Sequence, residues 1–130
     1  MKFHLDTAEI FIPDGLAIES ALARTTHLCF AAHQDDIEIM AANPIVECFQ
    51  QKDKWFTGVV VTDGRGSPRD GLYEQYSDDE MRLVRFKEQR KAAYVGEFAA
   101  QILLDIPSKV VKDDSRRESV EDILAILRAT

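Results

Sequence analysis

Cysteine is scarce in this chain and never paired in sequence. Cys29 and Cys48 are the only two, with no C-x-x-C spacing, so both are expected to be reduced and buried, as in a cytoplasmic protein. Excess positive charge is also missing: the formal net charge is -7, which argues against a broad nucleic-acid surface and for a soluble protein. No apolar run approaches the length of a membrane span, and Met1–Asp6 carries no apolar core of a signal peptide. There is no G-x-x-x-x-G-K-[ST] and no G-x-G-x-x-G, so a phosphate cradle is weakly supported. Internal repeats and low-complexity segments are absent. What remains is an ordinary globular balance, 45% apolar and 30% charged over 130 residues, enough for one domain with a real core.

The most informative stretch runs from Cys29 to Glu38. Leu28–Ala32 is a short apolar run that ends abruptly in His33-Gln34-Asp35-Asp36, the way a parallel strand delivers side chains to the crevice at its carboxyl end. An imidazole and a carboxylate suit a divalent metal such as zinc, and a second carboxylate can act as base toward its water. The other histidines, His4 and His27, read as structural. His27 lies six residues before His33 on the same strand, ~20 Å away at ~3.3 Å per residue, too far to share a metal.

Around this stretch the pattern predicts an α/β protein, a Rossmann-like three-layer α/β/α arrangement on a mostly parallel sheet. Residues 1–24 form a leading segment with short extended pieces, a turn at Pro13-Asp14-Gly15 and a helix over Leu16–Arg24. The first core strand spans Thr25–Ala32. A looser turn follows over Asp35–Ala42, then a helix from Pro44 to about Gln51 capped by Asn43. Phe56–Thr62, with Val59-Val60-Val61 unbroken, reads as a strand buried on both faces. Residues 63–71, rich in glycine, read as a flexible loop at the same end of the sheet as His33. Ser77-Asp78-Asp79-Glu80 is a capping box, opening a helix to about Ala99. On it Met81, Val84, Arg85, Glu88, Ala92, Val95 and Ala99 fall on one stripe about 100° wide. From spacing alone, Arg85 and Glu88 make an ion pair at its rim. A strand over Ile102–Ile106 and a helix behind a second capping box, Ser115–Glu118, complete the pattern.

His33-Gln34-Asp35-Asp36 resembles the His-Pro-Asp-Asp-Glu signature of the PIG-L/LmbE family of zinc-dependent N-deacetylases, with Gln34 for Pro and Ile37 for Glu. The resemblance implies that His33 and Asp36 bind Zn2+ and that Asp35 is the general base. The family's Arg-x-x-Glu has its counterpart in Arg85-Phe86-Lys87-Glu88, followed by Ala92-Ala93 and Gly96. By resemblance Arg85 reaches substrate hydroxyls, and Glu88 is its orienting partner. Thr62-Asp63-Gly64 is similar to the family's loop after the second strand. Residues 25–130 then form the N-terminal portion of such a deacetylase domain, with residues 1–24 as an extension. The implied activity is hydrolysis of an N-acetyl group on an amino-sugar-type small molecule, releasing acetate.

The family's later His-x-x-His has no counterpart, because no histidine follows His33. The sheet is therefore expected to be incomplete at its C-terminus, and the third metal ligand to come from a missing C-terminal segment or a separate chain. The chain alone is expected to hold metal weakly and to be inactive. Two other classes stay open. One is a non-catalytic α/β binding module of the same outline. The other is a Mg2+-dependent phospho-acceptor receiver, with Asp63 and Lys109 beside the acidic pair. Oligomeric state is not readable, and a homo-oligomer stays open.

Overall fold

The computed structural model describes residues 1–130. Four strands form one open sheet: β1 (Glu9–Phe11), β2 (His27–Ala31), β3 (Phe56–Thr62) and β4 (Ala100–Ile106). Their spatial order is β1-β4-β3-β2. β2, β3 and β4 run parallel, and β1 pairs antiparallel to β4, with Ile10 opposite Ile102. The helices are α1 (Ile18–Ala23), α2 (Asp36–Met40), α3 (Ala42–Cys48), α4 (Asp78–Val95), α5 (Ser108–Val111) and α6 (Glu118–Leu127). The fold is thus α/β on a mostly parallel sheet, as the pattern predicts. The leading segment supplies β1 to that sheet.

Alternation along the strands separates two cores. Ala31, Val60 and Leu103 face α2, α3 and α4, meeting Ile37, Cys48, Phe86 and Ala93. Val59, Val61, Ile102 and Leu104 face the other way, onto Leu22 of α1 and Ile126 of α6. The run Val59-Val60-Val61 is buried throughout because each valine serves one core or the other. Phe98 stands edge-to-face on Phe56 with ring centroids 4.7 Å apart, closing the first core at the amino ends of the strands.

Local structure departs from expectation in several places. The Asp35–Ala42 segment is helical from Asp36, not a loose turn, because Ile37 is drawn fully into the core. α3 starts at Ala42 rather than Pro44. Asn43 is no cap, and Pro44 sits in the first turn, where a missing N–H leaves no bond broken. The box at Ser77–Glu80 forms with both reciprocal bonds. The one expected at Ser115–Glu118 does not: the Ser115 hydroxyl bonds Asp113 instead, and α6 begins behind Arg117 without a side-chain cap. α4 ends at Val95, short of Ala99, and β4 begins two residues early at Ala100. The core face of α4 is Met81, Phe86, Gln89 and Ala93. The expected stripe through Arg85, Glu88 and Val95 is displaced by about one residue, leaving Val95 exposed.

The segment before β1 is tied to α6 by an imidazole. His4 Nδ1 lies 2.8 Å from Asp122 Oδ1 and Nε2 lies 3.0 Å from Glu121 Oε2, so His4 is structural. The hydrogen bond to Asp122 raises the His4 pKa above its ordinary 6.5; partial burial opposes this, and the charges of Asp122, Glu121 and Glu118 add to it. A raised folded-state value stabilises fully below the unfolded pKa, and that contribution fades as pH climbs through the folded value. The stability gap between wild type and His4→Gln should therefore be widest at mildly acidic pH and narrow on the alkaline side. Thermal unfolding across a pH series checks this, and a gap that widens with pH contradicts it.

Candidate active site

β2, β3 and β4 present their carboxyl ends at one edge of the sheet, and the His33–Asp36 motif leaves β2 there. The His33 backbone N–H donates to Asp36 Oδ2 at 3.0 Å. The His33 ring Nδ1 lies 3.5 Å from the same oxygen, so imidazole and carboxylate converge on one point. His33 is 59% exposed at its side chain, open to a ligand from outside.

Asp35 stands between them in a left-handed conformation, φ 75° and ψ −26°. For a non-glycine residue that geometry costs about 1–3 kcal/mol and persists only where the surroundings hold it. Two groups hold it. Its backbone N–H donates to Gln89 Oε1 at 3.2 Å, and its Oδ2 accepts from Arg85 NH2 at 2.6 Å. The other carboxylate oxygen, Oδ1, receives no protein donor.

Arg85 is the hub of the α4 side. NH2 also donates to the Gln34 carbonyl at 3.1 Å, and NH1 donates to Glu88 Oε2 at 2.5 Å. Burial works to lower the Arg85 pKa; the bond and charge of Asp35, with Glu88 behind, outweigh it and the value is raised. Arg85 and Glu88 thus form the ion pair read from their spacing, but it faces Asp35 across the cleft.

Gln34, standing where the family signature has proline, is buried and donates through Nε2 to the Thr62 carbonyl at 3.2 Å. It fastens the motif to the end of β3. Gly64 follows with φ 70°. A Cβ there would lie 2.5 Å from Gln34 Oε1 and 3.1 Å from Arg85 Cγ, so only glycine lets this loop close on the motif. The loop over residues 63–71 is not free, as its composition suggests. Arg65 bonds Asp63 and Asp79, and Arg69 bonds the Tyr76 carbonyl, the Arg65 carbonyl and Asp78. Glycine content is visible in sequence, whereas these arginine ties cross the chain and are not.

The loop divides the cleft. One cavity of about 350 Å³ is lined by His33, Gly64, Gly66, Ser67, Pro68 and Ser108. A neighbouring recess of about 200 Å³ holds Asp35, Arg85 and Glu88 with Tyr73, Met81 and Val84. Ser67 and Pro68 border both. A wider cleft of about 430 Å³ lies at the opposite, amino end of the strands, by Trp55 and Phe98. Its lining includes Asp14, paired with Arg24, and Glu97 but no imidazole, and the motif lies at the other end of the strands.

Two residues weighed for the site are engaged in other contacts. His27 Nδ1 sits 3.2 Å from Cys48 Sγ at the start of β2, a structural contact. Asp63 is buried and engaged by the Arg65 backbone and guanidinium rather than by the acidic pair. No group of three or more His, Cys, Asp or Glu side chains is arranged to hold a cation. His33 and Asp36 fit zinc in donor chemistry but supply only two of the three ligands usual in a catalytic site.

An open, mostly parallel α/β sheet with an imidazole and two carboxylates at its carboxyl edge marks a candidate hydrolase site. Residues 28–130 match the model of the PIG-L family, GlcNAc-PI de-N-acetylase, and the chain belongs to that family. Membership places it with deacetylase-type proteins and sets the receiver reading aside. Neither curated proteins nor solved structures give a significant match. No helix is long and apolar enough to cross a membrane.

Proposed function

We propose that this protein contributes the motif-bearing part of a zinc-dependent N-deacetylase site, acting on an N-acetylated amino-sugar-type small molecule to release acetate. The observation that carries this is the convergence of His33 and Asp36 beside an Asp35 that Arg85 holds toward the cleft. His33 and Asp36 are the zinc ligands. Zinc held there would supply Lewis acidity toward an amide carbonyl and a water. Asp35 accepts that water's proton on Oδ1, the oxygen Arg85 leaves free, and can return it to the departing amine. Arg85 NH1 keeps one hydrogen beyond the one given to Glu88, available for a substrate hydroxyl in the recess by Tyr73. Glu88 orients that guanidinium.

The third ligand is proposed to come from a further segment or separate chain docking beside β2. That strand is a sheet edge, paired only with β3, and an edge offers unpaired backbone groups to another strand. A site at the carboxyl end of β2 would then lie between two strands, where open α/β sheets bind ligands.

Metal titration of the 130-residue chain is the direct test. Two protein donors should hold zinc loosely, so that dialysis removes it, and His33→Ala should abolish even that binding. Tight zinc retained by His33→Ala overturns the assignment. A domain completed with its third ligand should hydrolyse N-acetylglucosamine conjugates; a completed, zinc-loaded domain without amide hydrolysis would instead be the non-catalytic binding module.

A further inference from the structure

Beneath the motif, between α4 and the sheet, three polar side chains lie in a layer otherwise made of Ile37, Phe86 and Ala93. Gln89 is 1% exposed and Gln101 fully buried, yet both are polar. Gln89 Nε2 donates to Glu38 Oε1 at 2.7 Å and to Gln101 Oε1 at 3.3 Å. The Gln89 carbonyl oxygen then has one direction left, and it accepts the Asp35 N–H. We propose that Gln89 is a positioning residue, whose amide, oriented by Glu38 and Gln101, fixes the left-handed backbone at Asp35 and so aims its carboxylate.

Four observations carry this. The Asp35 N–H belongs to the residue preceding α2, which has no helical partner for it. An amide flipped end for end would set oxygen against carboxylate and NH2 against N–H, so Glu38 selects the orientation that accepts from Asp35. Gln101 is held in turn, with Nε2 donating to the Ile102 carbonyl at 3.1 Å. Gly58 on β3 makes the room: a Cβ there would stand 2.7 Å from Gln101 Oε1. A line of amides therefore runs from β4 through Gln101 and Gln89 to the backbone of the residue assigned as base. Buried polar side chains cost stability unless their bonds are satisfied, and Glu38 Oε2 has no donor at all. Apolar packing would be the more stable filling of this space, so the cluster is explained by what it holds in place.

The inference rests on the reading of Asp35 as base, and its test separates the two. Amide hydrogen exchange by NMR is followed in wild type, in Gln89→Met and in the double variant Gln89→Glu/Glu38→Gln. The methionine fills the space without an acceptor. The double variant restores one: the two side chains trade chemistry, so the amide now on α2 donates to the carboxylate now on α4, and the Gln101 amide turns over to donate as well, exchanging its bond to the Ile102 carbonyl for one to that carboxylate. In Gln89→Met the Asp35 amide should exchange at least about tenfold faster while Val60 and Leu103 keep their protection. In the completed, zinc-loaded domain kcat should fall about 100-fold with KM little changed. The double variant should recover both. An Asp35 amide that stays protected in Gln89→Met overturns the proposal, as does protection lost equally at Val60 and Leu103, or a folded double variant without recovery. Faster exchange at Asp35 with unaltered kcat overturns the positioning role, Arg85 then aiming the carboxylate alone, while Asp35→Asn reads the assignment as base separately.

Discussion

Asp105→Ala should lower the unfolding free energy by about 3 kcal/mol, the largest stability loss we expect from one substitution. Asp105 is 3% exposed and is gripped by both edges of the Arg82 guanidinium, Nε on Oδ1 and NH2 on Oδ2. Arg82 is itself mostly withdrawn from water and lies over the Phe86 ring at 4.5 Å. Removing the carboxylate strands a cation in a site that water barely reaches. The backbone adds to the cost, since Asp105 adopts φ 60°, which aspartate tolerates better than alanine. The residue sits where the β3–β4 register shifts, so strain and ion pair coincide. Asp105→Asn keeps the backbone tolerance and should lose less. In Asp105→Ala/Arg82→Met, methionine covers Phe86 without a charge, and the double variant should be more stable than Asp105→Ala alone. Urea unfolding measures all three. A loss below about 1 kcal/mol for Asp105→Ala would mean that water reaches Arg82 well enough to replace its partner.

That pair belongs to a set of features the sequence does not display. What is legible is local. A short apolar run breaking into His33-Gln34-Asp35-Asp36 marks a strand end, three consecutive valines mark a strand buried on both faces, and Ser77 with Glu80 marks a helix start. Each signal is complete within a few residues, and each forms. The second box does not form: Asp113 accepts from both the N–H and the hydroxyl of Ser115, and Glu118 accepts from Arg116, a competition that spacing alone does not reveal. α2 escapes the pattern because its first residue carries no side-chain cap; the stabilising bond runs from His33 to Asp36 instead. The face of α4 differs from its apolar stripe because polarity is not the same as exposure. Arg82 and Gln89 turn inward to partners on β4, and those partners are set by tertiary pairing. β1 reads only as extended in sequence, since its place beside β4 depends on a contact across some ninety residues. At the site, the motif places His33, Asp35 and Asp36 at one strand end, but the Arg85–Asp35 bridge and the Gln34–Thr62 bond require the fold to bring α4 and β3 to the motif.

Asp35→Asn should reduce turnover in the completed, zinc-loaded domain by about 10³-fold while leaving zinc content near that of wild type. The substitution is chosen because it changes one property. Asparagine has nearly the same size, tolerates the left-handed backbone at φ 75°, and can still offer its carbonyl oxygen to Arg85 NH2. The Asp35 N–H bond to Gln89 is a backbone bond and is unaffected. What disappears is the capacity of the second oxygen to take a proton. Asp35→Ala is the informative contrast: it also removes the Arg85 partner, leaving a guanidinium whose Nε is already buried without an acceptor, and should disturb the recess holding Glu88 and Tyr73. Its KM should therefore rise as kcat falls, whereas Asp35→Asn should act on kcat alone. Zinc content discriminates further. If Asp35→Asn releases zinc as His33→Ala does, Asp35 is a ligand and not the base. If Asp35→Asn keeps turnover within a few-fold of wild type, the proton goes elsewhere, and Glu88, the remaining carboxylate of the recess, becomes the residue to change next.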